Sequence, residues 1–171
     1  ILDNYRELDK LTESIDTTFN IGIRIASEEE PKFEFYTSRL GIGYKDIIPY
    51  YSQKIAEHPN ARLKMLHFFI NTGIKDTAYY WNELYKCLRV YARLKKIAPE
   101  VDSLNIGGGF PIKTSLNFDY DYQYMVNEIV SQIKKFCEEE GVEEPNIYTE
   151  FGSFTVGESG GHLYKIISQK R

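Results

Sequence analysis

Apolar residues along the chain are concentrated in four short runs that have the composition of β-strands. The runs begin about 40 residues apart, and a longer segment of mixed polar and apolar residues follows each of them. They span residues 19–26, 63–70, 103–106 and 146–150. The pattern predicts a βα unit that is repeated four times along the chain.

Two of the intervening segments have the apolar spacing of amphipathic helices. Apolar residues recur at helical spacing over residues 81–91, and Pro99 predicts the end of this helix. The same spacing runs over residues 122–137, and Gly141 predicts its end. Residues 2–11 also show helical spacing, without a capping residue ahead of them.

Strands that are joined by crossover helices must be parallel, so the predicted fold class is α/β. An open doubly wound sheet and a (β/α)8 barrel both satisfy this condition. In the first strand, alternate residues from Phe19 to Ile25 are apolar, whereas the residues between them, including Arg24, are polar or small. A polar inner face favours a barrel strand. Because a barrel needs eight strands, we predict four consecutive βα units that form about half of a (β/α)8 TIM-type barrel.

The same alternation predicts a set of inward-facing side chains that converge near the carboxyl ends of the strands. The set consists of Arg24, His67, Phe69, Asn105, Tyr148 and Glu150. A carboxylate in a partly enclosed cavity is costly unless it meets a cation, so Glu150 is expected in a solvated loop or beside a positive group such as Arg24. His67 and Phe69 are expected to be core side chains.

Composition and charge change this picture mainly by exclusion. The 171-residue chain is 42% hydrophobic and 27% charged, as in globular domains. Its net charge of −4 offers no basic surface for nucleic acid. The apolar runs are far shorter than the roughly 18 residues of a membrane span, and no signal peptide opens the chain, so we expect a cytoplasmic protein without membrane contact. Cys87 and Cys137 have neither a disulfide nor a metal-site spacing and are expected to be ordinary thiols.

Three consecutive glycines, Gly107, Gly108 and Gly109, directly follow the third predicted strand. Residues without side chains let backbone N–H groups approach an anion closely, and at the carboxyl end of a barrel strand that anion is typically a phosphate. A tight turn between strand and helix explains the glycines equally well. The motif alone therefore leaves both interpretations open.

Two other glycine patterns carry little weight. Residues 157–161 match the Gly-x-Ser-x-Gly nucleophile elbow of hydrolases, and His162 is adjacent. No Asp or Glu follows Ser159, so a catalytic triad cannot be assembled in the usual order, and we expect a turn of small residues. Residues 41–43 resemble the start of a dinucleotide-binding loop, but Asp46 occupies the place of its third glycine.

The order and spacing of several segments resemble the pyridoxal-phosphate-dependent basic amino-acid decarboxylases with an alanine-racemase-type barrel. The resemblance runs through residues 22–25, 38–42, 66–73, 104–110 and 148–156, and so covers nearly the whole chain. That family includes ornithine, diaminopimelate and biosynthetic arginine decarboxylases. The sequence around the glycines and after the fourth strand is most similar to the arginine decarboxylase-like members.

The resemblance implies a role for five of the residues above. Gly107, Gly108 and Gly109 would present N–H groups to the phosphate of pyridoxal 5′-phosphate. Glu150 would pair with the pyridine nitrogen and keep it protonated, so that the ring can accept the electron pair left by carbon dioxide. Arg24 would line the cofactor cavity. Glu150 and Arg24 are the residues expected to take part in catalysis.

Three further cofactor-binding positions depart from the family pattern. Phe69 stands where the family usually has a His stacked on the pyridine ring; Phe can stack, but it brings neither proton nor charge. Thr72 replaces a Ser and keeps the hydroxyl that faces the phosphate. Ser153 replaces an Arg, so a charged contact to the phosphate is lost.

We expect residues 1–171 to be a partial cofactor-binding barrel domain. The chain opens with Ile1 inside helical spacing, and the resemblance places the family's cofactor-binding lysine before it and a second, β-rich domain after it. The isolated chain is therefore expected to be inactive. Two unpaired sheet edges predict a homo-oligomer, or edges that terminal segments cover.

Three functional hypotheses follow. The first is an arginine decarboxylase that uses pyridoxal phosphate to convert a small basic amino acid into a polyamine precursor, with a diaminopimelate or ornithine decarboxylase as a variant of it. The second is a decarboxylase homologue that has lost the cofactor chemistry and acts by binding a related protein, which Phe69 and Ser153 favour. The third is an unrelated βα domain.

Overall fold

The computed structural model describes residues 1–27, 40–113, 118–161 and 163–168. Ser38 and Arg39, which belong to the family-like segment 38–42, and His162 lie outside the described residues. The strands are β1 (Phe19–Ala26), β2 (Ile42–Gly43), β3 (Ala61–His67), β4 (Ser103–Asn105) and β5 (Asn146–Tyr148). The helices are α1 (Glu7–Ser14), α2 (Ile47–Tyr50) with a π-helical continuation (Tyr51–Ile55), α3 (Ala78–Ile97), α4 (Tyr122–Glu140) and α5 (Gly152–Val156).

All described strands are parallel and form one sheet in the order β2-β1-β3-β4-β5. The predicted α/β class and the four βα units are confirmed, because β1, β3, β4 and β5 follow one another across the sheet. The short strand β2 was not predicted. Two residues carry too little periodicity to reveal a strand, and β2 pairs with β1 only at its carboxyl end.

The hydrogen-bonded ladder ends earlier than the sequence predicts. Strand β3 ends at His67 rather than residue 70, β4 ends at Asn105, and β5 ends at Tyr148. Single backbone bonds continue beyond these ends, since the Phe68 N–H donates to the Asn105 carbonyl at 3.1 Å. The apolar runs therefore extend past the regular strands into the segments that form the carboxyl-terminal edge of the sheet.

The first residues of the chain do not continue a helix. Leu2 pairs with β1 as an isolated parallel bridge: its N–H donates to the Gly22 carbonyl, and its carbonyl accepts from the Arg24 N–H at 2.9 Å. Its side chain is buried. Helix α1 begins only at Glu7, whose carboxylate accepts a hydrogen bond from the Asp3 N–H. Burial of Leu2 against the sheet thus overrides its helical spacing.

Helices α3 and α4 are confirmed, together with the signals that end them. Thr77 caps the start of α3 and Asp121 caps the start of α4, each through a side-chain oxygen that accepts a backbone N–H. Helix α3 ends at Ile97, two residues before Pro99, and Gly141 closes α4 with a φ of 64°. The caps fix where each helix meets the sheet.

The core lies between the helices and the apolar face of the sheet. Most apolar residues of β1, β3 and β4 are buried there, as are both cysteines, whereas Ile147 of β5 is exposed. Burial raises the pKa of the Cys87 thiol. The core residues of the strands include Ile21, Ile23, Ile25, Leu63, Leu66 and Leu104. Within the described part of the chain, we find no helix with the length and apolarity that a membrane crossing requires.

Candidate functional site

A row of polar side chains crosses the inner face of the sheet at the carboxyl ends of its strands. Arg24 is the register partner of His67, and His67 is in turn the partner of Asn105. Asn105 pairs with Tyr148, and Glu150 follows two residues later on the same strand face. The predicted convergence of these side chains is confirmed, because the register places them side by side.

Glu150 and the glycine segment are held together by Asn105. The Asn105 Nδ2 donates to Glu150 Oε1 at 2.9 Å, and its Oδ1 accepts from the Gly107 N–H at 2.8 Å. The Glu150 N–H donates to the Gly107 carbonyl at 2.8 Å. The Glu150 side chain is 49% exposed, so its carboxylate is fixed by neighbours while one side stays open.

His67 lies beside the same carboxylate. Its side chain is buried, as expected, and its Nε2 is 3.5 Å from Glu150 Oε1. Neither ring nitrogen makes a hydrogen bond to a described residue, because 3.5 Å is too long for a good bond. Burial lowers the pKa of His67, the nearby Glu150 charge opposes this, and Arg24 lowers it further. The lowered pKa favours the neutral ring at pH 7, which leaves Glu150 without a charged partner among the described residues.

Arg24 and Phe69 form the opposite side of the inner face. The Arg24 guanidinium carbon lies 5.8 Å from the centre of the half-buried Phe69 ring, which is a cation–π distance. Its Nη1 is 3.8 Å from Asp3 Oδ1, so Arg24 pairs with Asp3 rather than with Glu150. The sequence-based idea that Arg24 neutralises Glu150 is not what the structure shows, since His67 stands between them in the register.

The three consecutive glycines each occupy a position that excludes a larger residue. Gly107 and Gly109 have φ values of 69° and 100°, in the left-handed region that favours glycine. A Cβ on Gly108 would overlap the carbonyl oxygen of Glu150, and one on Gly109 would lie 2.8 Å from the Gly73 Cα. The loop thus packs backbone against backbone, which a turn alone does not require.

The N–H groups of the loop are not equivalent. The Gly107 N–H is used by Asn105, so it is not available to an anion in this arrangement. Among the described residues, no hydrogen bond from the N–H of Gly108 or Gly109 is found. Of the three N–H groups predicted to face an anion, those of Gly108 and Gly109 therefore remain available to donate a hydrogen bond.

A cleft of about 1000 Å³ opens beside the loop. Its lining brings together Thr72, Gly109 and Ser153, three residues that the family resemblance places at the phosphate, and it also includes Lys75. The residues that line it do not include Arg24, Phe69 or Glu150, which face the inner side of the sheet. The predicted site residues thus fall into two groups, and the glycine loop touches both.

Helix α5 is positioned by aromatic packing. Phe110, which ends the glycine loop, contacts Phe151 with ring centres 4.3 Å apart, and it also contacts Phe154. Tyr122 packs on Phe154 at 4.9 Å and so joins α4 to this cluster. This packing sets Ser153, near the start of α5, at the edge of the cleft.

The other glycine patterns are explained by the backbone. Ser159 lies in a turn after α5 and donates to the Val156 carbonyl, whereas a nucleophile elbow requires a turn from strand to helix. Gly41 has a φ of 97° where the chain enters β2, and no helix begins there. No group of three or more potential metal ligands occurs among the described residues.

Sequence reasoning underestimated Asn105, His67 and Lys75. The period-two alternation placed Asn105 and His67 inward, and a buried amide next to a glycine loop needs partners, which is the signal that could have identified Asn105. Lys75 follows Gly73 in a loop without periodicity, so nothing in the sequence pointed to it.

Comparison with known proteins agrees with this geometry. The family model of the pyridoxal-binding domain of pyridoxal-dependent decarboxylases matches residues 1–157. The biosynthetic arginine decarboxylase of Geotalea uraniireducens is 36% identical over 101 residues, which cover 55% of this chain and 16% of that protein. The enzyme of the same name from Citrifermentans bemidjiense is 26% identical over 171 residues, which cover 91% of this chain and 27% of that protein. The chain thus spans about a quarter or less of their length.

A solved structure supports the fold. The crystal structure of the biosynthetic arginine decarboxylase from Campylobacter jejuni matches with a TM-score of 0.67 and 22% identity, over 90% of this chain and 27% of that one. The prediction that the chain forms part of a TIM-type barrel is confirmed, because the solved structures that it matches have a TIM-barrel amino-terminal domain. With the family model covering residues 1–157, the chain belongs to the pyridoxal-dependent decarboxylase family, within its pyridoxal-binding domain.

Proposed function

We propose that the full-length gene product is an arginine decarboxylase that uses pyridoxal 5′-phosphate. One observation carries the proposal: Glu150, a carboxylate with no charged partner at pH 7 among the described residues, is hydrogen-bonded through Asn105 to a glycine loop in which the Gly108 and Gly109 N–H groups make no hydrogen bond to those residues. The Glu150 carboxylate, on one side of the loop, could face a protonated ring nitrogen. The N–H groups of the loop could bind a phosphate on the other side.

The residues around the cleft fit a phosphate group. The N–H groups of Gly108 and Gly109, which no described residue engages, and the hydroxyls of Thr72 and Ser153 can all donate hydrogen bonds to an anion. Lys75 adds a positive charge to the lining.

The inner face fits the ring of the cofactor. Glu150 would hold a proton on the pyridine nitrogen, since a carboxylate beside a protonated nitrogen favours the charged form. Asn105 would orient that carboxylate, and a neutral His67 would not compensate the negative charge of Glu150. Phe69 offers an aromatic face for stacking, and Arg24 would hold that face in place through its cation–π contact.

Bound pyridoxal phosphate supplies the electron sink for the electron pair left when a carboxylate leaves as carbon dioxide. Glu150 would contribute by keeping the ring nitrogen protonated while that charge develops. The glycine loop and Thr72 would anchor the phosphate and thereby fix the distance between Glu150 and the ring. The chain's own residues would thus bind the phosphate, orient the ring and keep a proton on the pyridine nitrogen.

The choice of arginine rests on the relatives. The two relatives are biosynthetic arginine decarboxylases, and the match to the Citrifermentans bemidjiense enzyme covers 91% of this chain. Arginine decarboxylation yields a polyamine precursor. The expectations of a cytoplasmic location, a homo-oligomer and a small basic amino acid as substrate stay predictions.

The alternative of a homologue without cofactor chemistry is favoured by Phe69 and Ser153. Ser153 lines the cleft but brings no charge, and Phe69 has no proton to give. We place this alternative second because the loop donors and Glu150 are retained. Pyridoxal phosphate binding by the full-length gene product separates the two, since a protein of the second kind would not bind it.

We expect Ser153→Arg to strengthen pyridoxal phosphate binding about tenfold, because a guanidinium at the cleft edge adds charge-assisted hydrogen bonds to the phosphate. Fluorescence titration of the full-length gene product measures the effect. Ser159→Arg, which adds the same charge in the turn beyond α5, is the matched control and should change little. Equal gains in both variants would show nonspecific attraction instead.

The proposed activity is tested by release of carbon dioxide from carboxyl-labelled arginine, with ornithine, lysine and diaminopimelate as comparison substrates. We expect release from arginine that depends on added pyridoxal phosphate and exceeds the rate with the other three. Binding of the cofactor without release from any of them would contradict the proposal. Preferential release from another of the amino acids would replace arginine as the substrate.

A further inference from the structure

Asn105 is one of the few polar side chains in the buried part of the described structure. It is 7% exposed, and both ends of its amide are engaged. Its Nδ2 reaches Glu150 Oε1 at 2.9 Å, and its Oδ1 receives the Gly107 N–H at 2.8 Å. One side chain therefore contacts both the carboxylate and the first residue of the glycine loop.

The orientation of the amide is fixed by its neighbours. A carboxylate only accepts hydrogen bonds and a backbone N–H only donates them, so the amide nitrogen must face Glu150 and the oxygen must face Gly107. A rotation of the amide by 180° would break both bonds. An aspartate at this position could satisfy only the Gly107 N–H, and an apolar residue could satisfy neither.

The charged groups around this contact come from four segments. Glu150 follows β5, His67 lies on β3, and Arg24 lies on β1 with Asp3 paired to it. A second carboxylate at Asn105 would meet Glu150 directly, with the neutral His67 ring as its nearest neighbour on β3.

We propose that Asn105 is a positioning residue that couples the two halves of the cofactor site. Resting on the proposed function, the proposal assigns it two tasks: its amide nitrogen aims the Glu150 carboxylate at the ring nitrogen, and its amide oxygen holds Gly107. By occupying the Gly107 N–H, Asn105 turns the loop so that Gly108 and Gly109 present the donors. The phosphate site at the loop and the ring site at Glu150 are thereby held at a fixed distance from each other.

The test compares two substitutions in the full-length gene product. Asn105→Asp keeps the acceptor for Gly107 and loses the donor to Glu150, whereas Asn105→Leu loses both. Titrations with pyridoxal 5′-phosphate, with pyridoxal, which lacks the phosphate, and with inorganic phosphate are made at pH 6 and pH 8. Asn127→Asp, on the exposed surface of α4, controls for the added charge.

We expect Asn105→Asp to weaken pyridoxal binding about tenfold at pH 8 and to leave phosphate binding unchanged. The loss should shrink at pH 6, because the facing carboxylates raise each other's pKa and the cluster then takes up a proton, on a carboxyl group or on His67. Asn105→Leu should weaken both pyridoxal and phosphate at both pH values.

Equal losses for all three ligands in both variants, without pH dependence, would overturn the proposal and leave Asn105 a purely structural residue. Wild-type affinity in Asn105→Asp at pH 8 would overturn it as well. If the unsubstituted protein binds neither pyridoxal phosphate nor pyridoxal, the proposed function itself fails, and this inference fails with it. The first two outcomes are distinct from the third because they require a binding-competent wild type.

Discussion

Glu150→Gln is expected to lower decarboxylation by the full-length gene product by about a hundredfold or more while its fold persists. The amide has the shape of the carboxylate, and its oxygen can still accept the Asn105 Nδ2 bond. The backbone bond from Glu150 to the Gly107 carbonyl is unaffected. What is lost is the charge that keeps the ring nitrogen protonated, and its loss matters most as negative charge develops in the transition state.

Turnover under saturating cofactor, together with the cofactor content, measures this effect. Glu158→Gln makes the same chemical change in the exposed turn after α5 and should leave turnover unchanged, as should Ser159→Ala at the hydrolase-like motif. A hydrolase would show the reverse ranking of Glu150 and Ser159. Near-wild-type decarboxylation by Glu150→Gln with cofactor bound would remove Glu150 from the mechanism.

Gly108→Ala is expected to weaken cofactor binding by about a hundredfold or more. The added methyl group would overlap the carbonyl oxygen of Glu150. The loop cannot move away easily, because the Glu150 N–H is hydrogen-bonded to the Gly107 carbonyl on the same side. The strain therefore displaces both the loop donors and Glu150, and overpacking of this kind costs about 1–3 kcal/mol of unfolding free energy.

Titration with pyridoxal phosphate and thermal unfolding of the same sample measure the two effects. Gly160→Ala is the matched control, since a Cβ at that position meets no atom within 4 Å. We expect it to bind the cofactor normally. Normal binding by Gly108→Ala would mean that the loop is more adaptable than its packing against Glu150 indicates.

The strands and the long helices could be predicted because their signals are local. Apolar alternation over β1 and helical spacing over α3 and α4 each extend over several turns or residue pairs, so the period is unambiguous. Leu2 and β2 were missed for the opposite reason. Leu2 pairs with β1 through one residue and β2 through two. A pairing this short produces no periodic pattern of apolar residues in the sequence.

The candidate site could be predicted as a set of residues but not as a network. Alternation placed Arg24 and Glu150 on one face, yet it could not show that Arg24 pairs with Asp3, which lies far from it in sequence. Likewise, the three glycines suggested three anion-binding N–H groups, whereas the Asn105 side chain takes one of them. Such partners depend on strand register, which periodicity does not fix.

The central claim is that the glycine loop and Glu150 form two ends of one cofactor site. A crystal structure of the full-length gene product with pyridoxal 5′-phosphate tests it most directly. We predict the phosphate within hydrogen-bond distance, about 3 Å, of the Gly108 and Gly109 N–H groups, and the pyridine nitrogen at a similar distance from the Glu150 carboxylate. A cofactor bound away from either group, or an empty site at saturating concentration, would contradict the account.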